Sequence, residues 1–286
     1  MDRKDFLKKG ILGAGAVAVT AGTVGAAIES NAKSTDEQVG FNHIPPMPEE
    51  KGQNVVIHRA NTRGMANHGW LQSRHSFSFA NYYDPQRMGF GKLRVLNDDI
   101  IAGGTGFGTH PHDNMEIISI PLEGALRHKD SMGNEQVIKA GDVQVMSAGT
   151  GITHSEMNGN TDKAGKFLQI WVYPNKRNVT PRYDQISVTE KKNVLQQVLS
   201  PNANDEGVWI HQDAWFHLGT FDSGKNISYA LKKPATNGTY TFLIKGSATI
   251  NGYELNERDA IGIWNNGSLD IKTTSESRIL ILEVPM

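Results

Sequence analysis

Short runs of β-branched and aromatic residues recur from residue 54 to the C-terminus, and Gly, Asn and Asp separate them. The clearest of these runs are Val55 to His58, Ile117 to Leu122, Phe167 to Tyr173, Tyr240 to Ile244 and Ile279 to Val284. Regularly spaced short strands with turn residues between them favour a β-sandwich or a closed barrel. The pattern therefore predicts an all-β fold.

Two turn signals predict β-hairpins in corresponding places of the two halves. Met132-Gly133-Asn134 and Asn251-Gly252 each separate two short strand-like runs, and Asn-Gly or Gly-Asn pairs favour tight hairpin turns. Each hairpin lies within a longer shared pattern, because residues 122–143 and 244–260 place similar Gly and Asp residues around it. We interpret this as a diverged internal duplication and predict two barrels. Two unrelated meanders with a coincidental likeness are the alternative.

The first 32 residues differ in composition from the rest of the chain. Basic residues, including Arg3 and Lys4, precede an uncharged Gly/Ala/Val run from Ile11 to Ala27. With the small residues at Ser30-Asn31-Ala32, this order predicts an export signal over residues 1–32. It resembles a twin-arginine signal with Lys4 in place of the second arginine. We expect a protein that is periplasmic in a Gram-negative cell, with no stable membrane association after cleavage. The alternatives are an uncleaved membrane anchor and a frayed N-terminus on a cytoplasmic protein.

Composition removes several classes of function. Lys and Arg number 29 against 30 Asp and Glu, so there is no basic excess to favour a nucleic-acid partner. The chain contains no cysteine, which excludes disulfides, thiolate nucleophiles and iron–sulfur ligation. A metal site in this chain must therefore be built from imidazole and carboxylate groups.

Two pairs of potential metal ligands lie in predicted strands. His110 and His112 form the first pair, and His154 and Glu156 form the second. Because alternate side chains of a strand share one face, each pair points to one side, and strand pairing would bring all four together. Three neutral imidazoles and a carboxylate suit Fe, Ni, Cu, Mn, Co or Zn and leave positions open for substrate. The sequence predicts one divalent transition metal at these four residues.

The motifs around these residues resemble those of the cupin superfamily. Its first motif is matched by Gly104, His110, His112 and Glu116, and its second is echoed by Gly141, Gly149, His154 and Asn158. More specifically, the stretches 74–79, 110–112 and 149–156 look like those of the pirin family, and the resemblance extends over residues 54–286.

The pirin resemblance implies a bicupin fold of two double-stranded β-helix (jelly-roll) barrels. We expect a linker at 33–53, a metal-binding barrel at 54–175 and a degenerate, metal-free barrel at 176–286. The family motif maps its metal ligands onto His110, His112, His154 and Glu156. Glu116, the ligand position of ordinary cupins, is the alternative carboxylate. The remaining histidines considered are expected to be structural: His58, His68, His75, His211 and His217.

Resemblance to bacterial pirins also implies an activity. It points to an Fe²⁺-dependent quercetin 2,3-dioxygenase that opens the ring of a flavonol with O₂, with a small phenolic substrate as partner. In that interpretation Glu156 is both a ligand and a proton acceptor. One alternative is a non-catalytic, iron-binding pirin that captures a partner in a metal-dependent way. Another is a cupin isomerase or hydrolase that uses Zn or Mn. We expect a monomer.

Overall fold

The first half of the described chain is built of strands. The computed structural model describes residues 54–286, so the predicted export signal and linker lie outside the described residues. The strands are β1 (Val55–His58), β2 (Gly64–Asn67), β3 (Leu71–His75), β4 (Leu93–Ile101), β5 (Gly106–His112), β6 (Glu116–Glu123), β7 (Ala125–Asp130), β8 (Glu135–Lys139), β9 (Asp142–Ser147), β10 (Ile152–Asn158), β11 (Gly165–Val172) and β12 (Arg182–Ser187). One 3₁₀ turn, at Ala60–Thr62, interrupts them.

The second half is also built of strands. They are β13 (Gln196–Ser200), β14 (Val208–Trp209), β15 (Trp215–Phe221), β16 (Asn226–Ala230), β17 (Asn237–Lys245), β18 (Ala248–Ile250), β19 (Tyr253–Leu255), β20 (Ala260–Ile263), β21 (Ser268–Thr273) and β22 (Ser277–Pro285). The all-β prediction is confirmed for the described residues. Among them, no helix is long and apolar enough to cross a membrane.

Each half contributes one seven-stranded and one four-stranded sheet. The order β12-β9-β6-β11-β4-β3-β2 in the first half matches β1-β20-β17-β22-β15-β13-β14 in the second. The small sheets, β5-β10-β7-β8 and β16-β21-β18-β19, match in the same way. Since corresponding strands take corresponding places, the topology supports the interpretation of an internal duplication.

Both predicted hairpins form. β7 pairs with β8 across the first turn, and β18 pairs with β19 across the second. Asn251 and Gly252 both have positive φ values, 46° and 87°. A two-residue turn with positive φ at both positions matches the twist of the strands it joins, which is why Asn-Gly is favoured there.

Two edge strands pair across the predicted domain boundary at 175/176. β1, which lies in the predicted first domain, pairs with β20 of the second, and β12, which lies beyond residue 175, pairs with β9 of the first. For these two strands, the sheet that each one joins is not the sheet of the predicted domain, 54–175 or 176–286, in which its residues lie. A short apolar run shows that a strand exists but not which sheet edge it joins, since pairing depends on distant residues.

The apolar interior differs between the two barrels. The two seven-stranded sheets pack against each other through a shared cluster that includes Ile118 and Leu280, and another apolar cluster fills the second barrel. In the first barrel the apolar interior is split into two small clusters. Along β11, Phe167 belongs to one, Trp171 packs against the other, and the buried Gln169 lies between them. The first barrel thus keeps a polar layer in its interior.

Candidate metal centre

Three histidines meet at the polar layer of the first barrel. His110 and His112 lie on β5, and His154 on the neighbouring β10 is directly opposite His110 in the register. Their potential ligand atoms all lie within 4.8 Å of one another. One ion binds imidazole nitrogens at about 2.1 Å, so small ring rotations suffice to close this group on a single metal. The structure thus brings together three of the four predicted ligands.

The second ring nitrogen of two of these histidines is already engaged. His110 Nδ1 lies 2.7 Å from the carbonyl oxygen of Gly108, and His154 Nδ1 lies 3.5 Å from Nδ1 of His128. His154 Nε2 is buried and has no hydrogen-bond partner among the described residues. A buried nitrogen of this kind is costly unless something binds it. The donor set and this nitrogen therefore fit a transition metal.

The surroundings keep the imidazoles of His112 and His154 neutral, which is the form that binds metal. Burial, reinforced by the neighbouring His154 and His110, lowers the pKa of His112 to about 3. Burial, followed by the proximity of His110 and His128, lowers the pKa of His154 to about 2. Both rings thus present lone pairs rather than positive charges at neutral pH.

Glu156, the predicted fourth ligand, lies deeper in the polar layer. Its Oε1 accepts a hydrogen bond from Ser119 Oγ at 2.9 Å, and its Oε2 accepts one from Gln169 Nε2 at 2.7 Å. A register irregularity separates it from His154 in the pairing with β5, where Gly106 approaches the Glu156 backbone too closely for any Cβ. The group of nitrogens within 4.8 Å does not include this carboxylate. Its ligand role stays a prediction.

Glu116, the alternative carboxylate, faces the other way. On β6 it shares a face with Ile118, which belongs to the cluster between the two barrels, whereas Ser119 faces the interior and bonds Glu156. Glu116 Oε2 accepts a hydrogen bond of 2.6 Å from Ser147 Oγ. Burial raises the pKa of Glu116 to about 7, against hydrogen bonds from Ser147 and the His211 backbone that lower it. This placement argues against Glu116 as a metal ligand.

The comparisons with known proteins agree with this geometry. The pirin family model matches residues 57–172, and the model of the quercetinase C-terminal cupin domain matches residues 197–284. The quercetin 2,3-dioxygenase of Escherichia coli K12 is 44% identical over 237 residues, which cover 81% of this chain and 99% of that protein.

The chain belongs to the pirin family. A pirin-like protein of Caulobacter vibrioides is 37% identical over 223 residues, covering 77% of this chain and 95% of that one. A crystal structure of the bacterial pirin YhhW from Escherichia coli in complex with nickel(II) has a TM-score of 0.77 at 42% identity, covering 81% of this chain and 99% of that one. The nearly all-β fold with two cupin domains is thereby established.

The buried Glu116 gives this pirin a testable pH dependence. Its pKa rises from the ordinary 4.5 to about 7 on folding, so the folded state binds more protons than the unfolded state between these values. Its contribution to stability is therefore fully present below pH 4.5 and is lost as the pH rises through 7. Glu116→Gln keeps an acceptor for Ser147 but cannot ionise. We compare the free energy of unfolding of the variant with that of the parent at each pH. We expect this difference, variant minus parent, to be up to about 3 kcal/mol larger at pH 8 than at pH 4.5.

Urea unfolding of the chelator-treated chain at the two pH values measures this difference. The variant is also expected to keep its metal, because Glu116 faces the neighbouring barrel. An equal pH dependence in both proteins, or loss of metal from Glu116→Gln, would contradict the assignment.

The corresponding place in the second barrel is filled differently. β16 and β21 occupy the positions of β5 and β10. There the Tyr229 hydroxyl donates a 2.6 Å hydrogen bond to the buried Glu283, which also accepts from the backbone N–H groups of Lys232 and Lys233. The Asn237 side-chain amide donates a further hydrogen bond to Glu283. That this barrel is metal-free stays a prediction.

Two of the histidines that were expected to be structural have buried hydrogen-bond partners, and a further histidine, which the sequence did not single out, lies beside the centre. His58 Nδ1 lies 2.9 Å from the Tyr240 hydroxyl, and His75 Nδ1 lies 2.9 Å from Asn97 Oδ1. His128 on β7, in contrast, is buried behind His154 and 3.0 Å from Asp130. The available signal was the same as for the ligands, since His128 and Asp130 are two residues apart on one strand.

Proposed function

We propose that this pirin is a metal-dependent dioxygenase that opens the ring of a flavonol such as quercetin with O₂, and that Fe²⁺ is the working metal. The observation that carries the proposal is the three-histidine group in the polar layer of the first barrel. Its support from relatives is the 44% identity with a quercetin 2,3-dioxygenase over 99% of that protein. Three imidazoles also suit nickel, which the related pirin structure contains.

An aromatic wall beside the histidines suits a flat phenolic substrate. Trp171 lies edge-on to His112 with ring centroids 5.0 Å apart, and Phe79 lies edge-on to Trp171 at 5.4 Å. The buried His75 packs behind Phe79, with ring centroids 5.4 Å apart. Aromatic side chains bind flat apolar ligands with defined geometry. This wall would orient the rings of the substrate next to the metal.

The proton chemistry falls to Glu156. When bound, the metal would acidify a coordinated hydroxyl and bring substrate and O₂ together. Glu156 is the nearby carboxylate of the polar layer, and Ser119 and Gln169 hold its two oxygens in place. A carboxylate held by two donors keeps its orientation while it accepts the proton of the substrate hydroxyl. We assign this role to Glu156 whether or not it also binds the metal.

Oxygen uptake tests the function directly. Chain loaded with Fe²⁺ is expected to consume one O₂ per quercetin, release carbon monoxide, and lose the flavonol absorption band. Chelator-treated chain and chain without quercetin are the controls. Parallel samples with Ni²⁺, Mn²⁺, Co²⁺, Cu²⁺ and Zn²⁺ identify the working metal. Bound metal with no O₂ uptake would refute the proposal, and metal-dependent capture of a partner or O₂-independent turnover would favour the two alternatives.

We also propose that the chain acts outside the cytoplasm as a monomer. The support is the sequence of residues 1–32, where basic residues precede an uncharged run and a small-residue cleavage site. The mass of the polypeptide recovered from the periplasm tests export, because cleavage after Ala32 leaves a chain that begins at Lys33. The mass of the native protein in solution tests the monomer.

A further inference from the structure

His128 forms a buried connection behind the metal centre. It lies on β7, opposite Glu156 in the register with β10, and is 1% exposed. Its Nδ1 is 3.5 Å from Nδ1 of His154, and the ring of Tyr183 packs against it with centroids 4.8 Å apart. The ring is thus fixed from several sides and touches a metal-binding imidazole directly.

The other nitrogen of His128 is tied to a carboxylate. His128 Nε2 lies 3.0 Å from Asp130 Oδ2. Asp130 also accepts hydrogen bonds from the backbone N–H groups of Met132 and Asn134, at 2.9 and 3.1 Å, and from the Asn134 side-chain amide at 2.9 Å. These donors all belong to the turn between β7 and β8. The hairpin turn therefore locks the Asp130 carboxylate in place as an acceptor.

When His128 carries a single ring proton, valence fixes the direction of each bond from Asp130 to His154. Because an ionised carboxylate only accepts, that proton lies on His128 Nε2, and His128 Nδ1 presents its lone pair. His154 Nδ1 must then carry the proton that it donates to His128. This leaves a lone pair on His154 Nε2, the buried nitrogen without a partner among residues 54–286. That nitrogen is the one available to the metal.

We propose that Asp130 and His128 act as positioning residues that set the tautomer and ring orientation of His154 for metal binding. Metal-bound histidines generally donate their second N–H to a carboxylate or a carbonyl. His110 makes such a contact directly, with the carbonyl of Gly108. For His154 the contact is indirect, because His128 lies between His154 and the Asp130 carboxylate. The inference rests on the metal centre of the proposed function but not on its substrate.

A direct ligand role for His128 is the competing interpretation. Both nitrogens of its ring are already engaged, one with Asp130 and the other with His154. Direct ligation would require His128 to break one of these contacts. It would also leave either the Asp130 carboxylate or His154 Nδ1 without its partner, which is costly in a buried site. The arrangement therefore favours the positioning role.

Metal affinity of the full chain tests the proposal with Ni²⁺ as the probe. His128→Phe keeps an aromatic ring but removes both nitrogens, and we expect the Kd for Ni²⁺ to rise by about 10- to 100-fold. His128→Gln supplies one acceptor and one donor and is expected to recover part of the loss. His217→Phe is the matched control, because it replaces a buried histidine of the second barrel and should leave the Kd unchanged.

The tautomers of the Zn²⁺-loaded parent protein provide a test that needs no variant. Nitrogen NMR of the histidine rings is expected to show His154 protonated at Nδ1 and bound at Nε2, and His128 protonated at Nε2. A metal-bound nitrogen on His128, or a Kd for His128→Phe within twofold of the parent, would overturn the proposal. If these NMR and affinity results are obtained but quercetin is not turned over, the proposed substrate is refuted and the positioning role of Asp130 and His128 is still supported.

Discussion

Replacing His112 by alanine is expected to remove the metal from this pirin and to abolish all metal-dependent turnover. His112 is 6% exposed and contributes one of three converging imidazoles. Loss of an outer partner of a ligand already lowers metal affinity about 10- to 100-fold, so loss of a ligand itself should lower it by at least about 100-fold. Metal content after dialysis, measured beside O₂ uptake with quercetin, gives both results from one preparation.

His68→Ala is the control for this variant. His68 belongs to the same barrel but is exposed between β2 and β3, so its removal should change neither metal content nor turnover. Retention of one equivalent of metal by His112→Ala at full affinity would show that the three-histidine group is not the binding site. A thermal unfolding curve of both metal-free variants checks that the barrel itself remains folded.

Local patterns in the sequence predicted much of this centre. The alternation of side chains on a strand placed His110 and His112 on one face, and the turn residues of the two hairpins were correctly interpreted. These features depend on neighbours along the chain, so a single sequence contains them. The pirin resemblance supplied the fold, and the topology of the two halves agrees with it.

Features that depend on distant residues could not be predicted in the same way. β1 and β12 each pair with a strand on the other side of the predicted domain boundary, and a short apolar run does not specify such a distant partner. The placement of Glu156 depends on Ser119 and Gln169, which lie 37 and 13 residues away in the sequence. Neither partner is distinctive by residue type. Their importance emerges only when the strands are aligned.

The two barrels show why only one of them presents a reactive centre among the described residues. In the second barrel His217 and Ile281 are opposite each other, and Ile281 belongs to the apolar cluster that fills the interior. In the first barrel the matching strands place Asn97 opposite Gln169. Both of these side chains are buried, and Gln169 bonds Glu156. Buried polar groups need partners, and in the first barrel Gln169 meets that need by bonding Glu156, two residues from His154 on β10.

Glu156→Gln is expected to separate metal binding from turnover. If the carboxylate works mainly as a proton acceptor, the variant should bind Fe²⁺ or Ni²⁺ with nearly the parent affinity but lose about 100-fold or more in kcat, the usual contribution of a general base. The packing should survive. Glutamine keeps an acceptor for Ser119, and a turn of the Gln169 amide removes the clash between two donors, since the O and N ends of that group are interchangeable in space.

Ser119→Ala provides the graded comparison, because it leaves the carboxylate in place and removes only one of the two donors that hold it. We expect full metal content and a loss of kcat smaller than that of Glu156→Gln. If Glu156→Gln instead loses metal as completely as His112→Ala, the carboxylate is an essential ligand. It must then bind the metal from a position other than the one between Ser119 and Gln169. If both substitutions leave kcat unchanged, the proton acceptor lies elsewhere. The buried Asp99, whose pKa burial raises to about 7, is then the next carboxyl of the polar layer to replace.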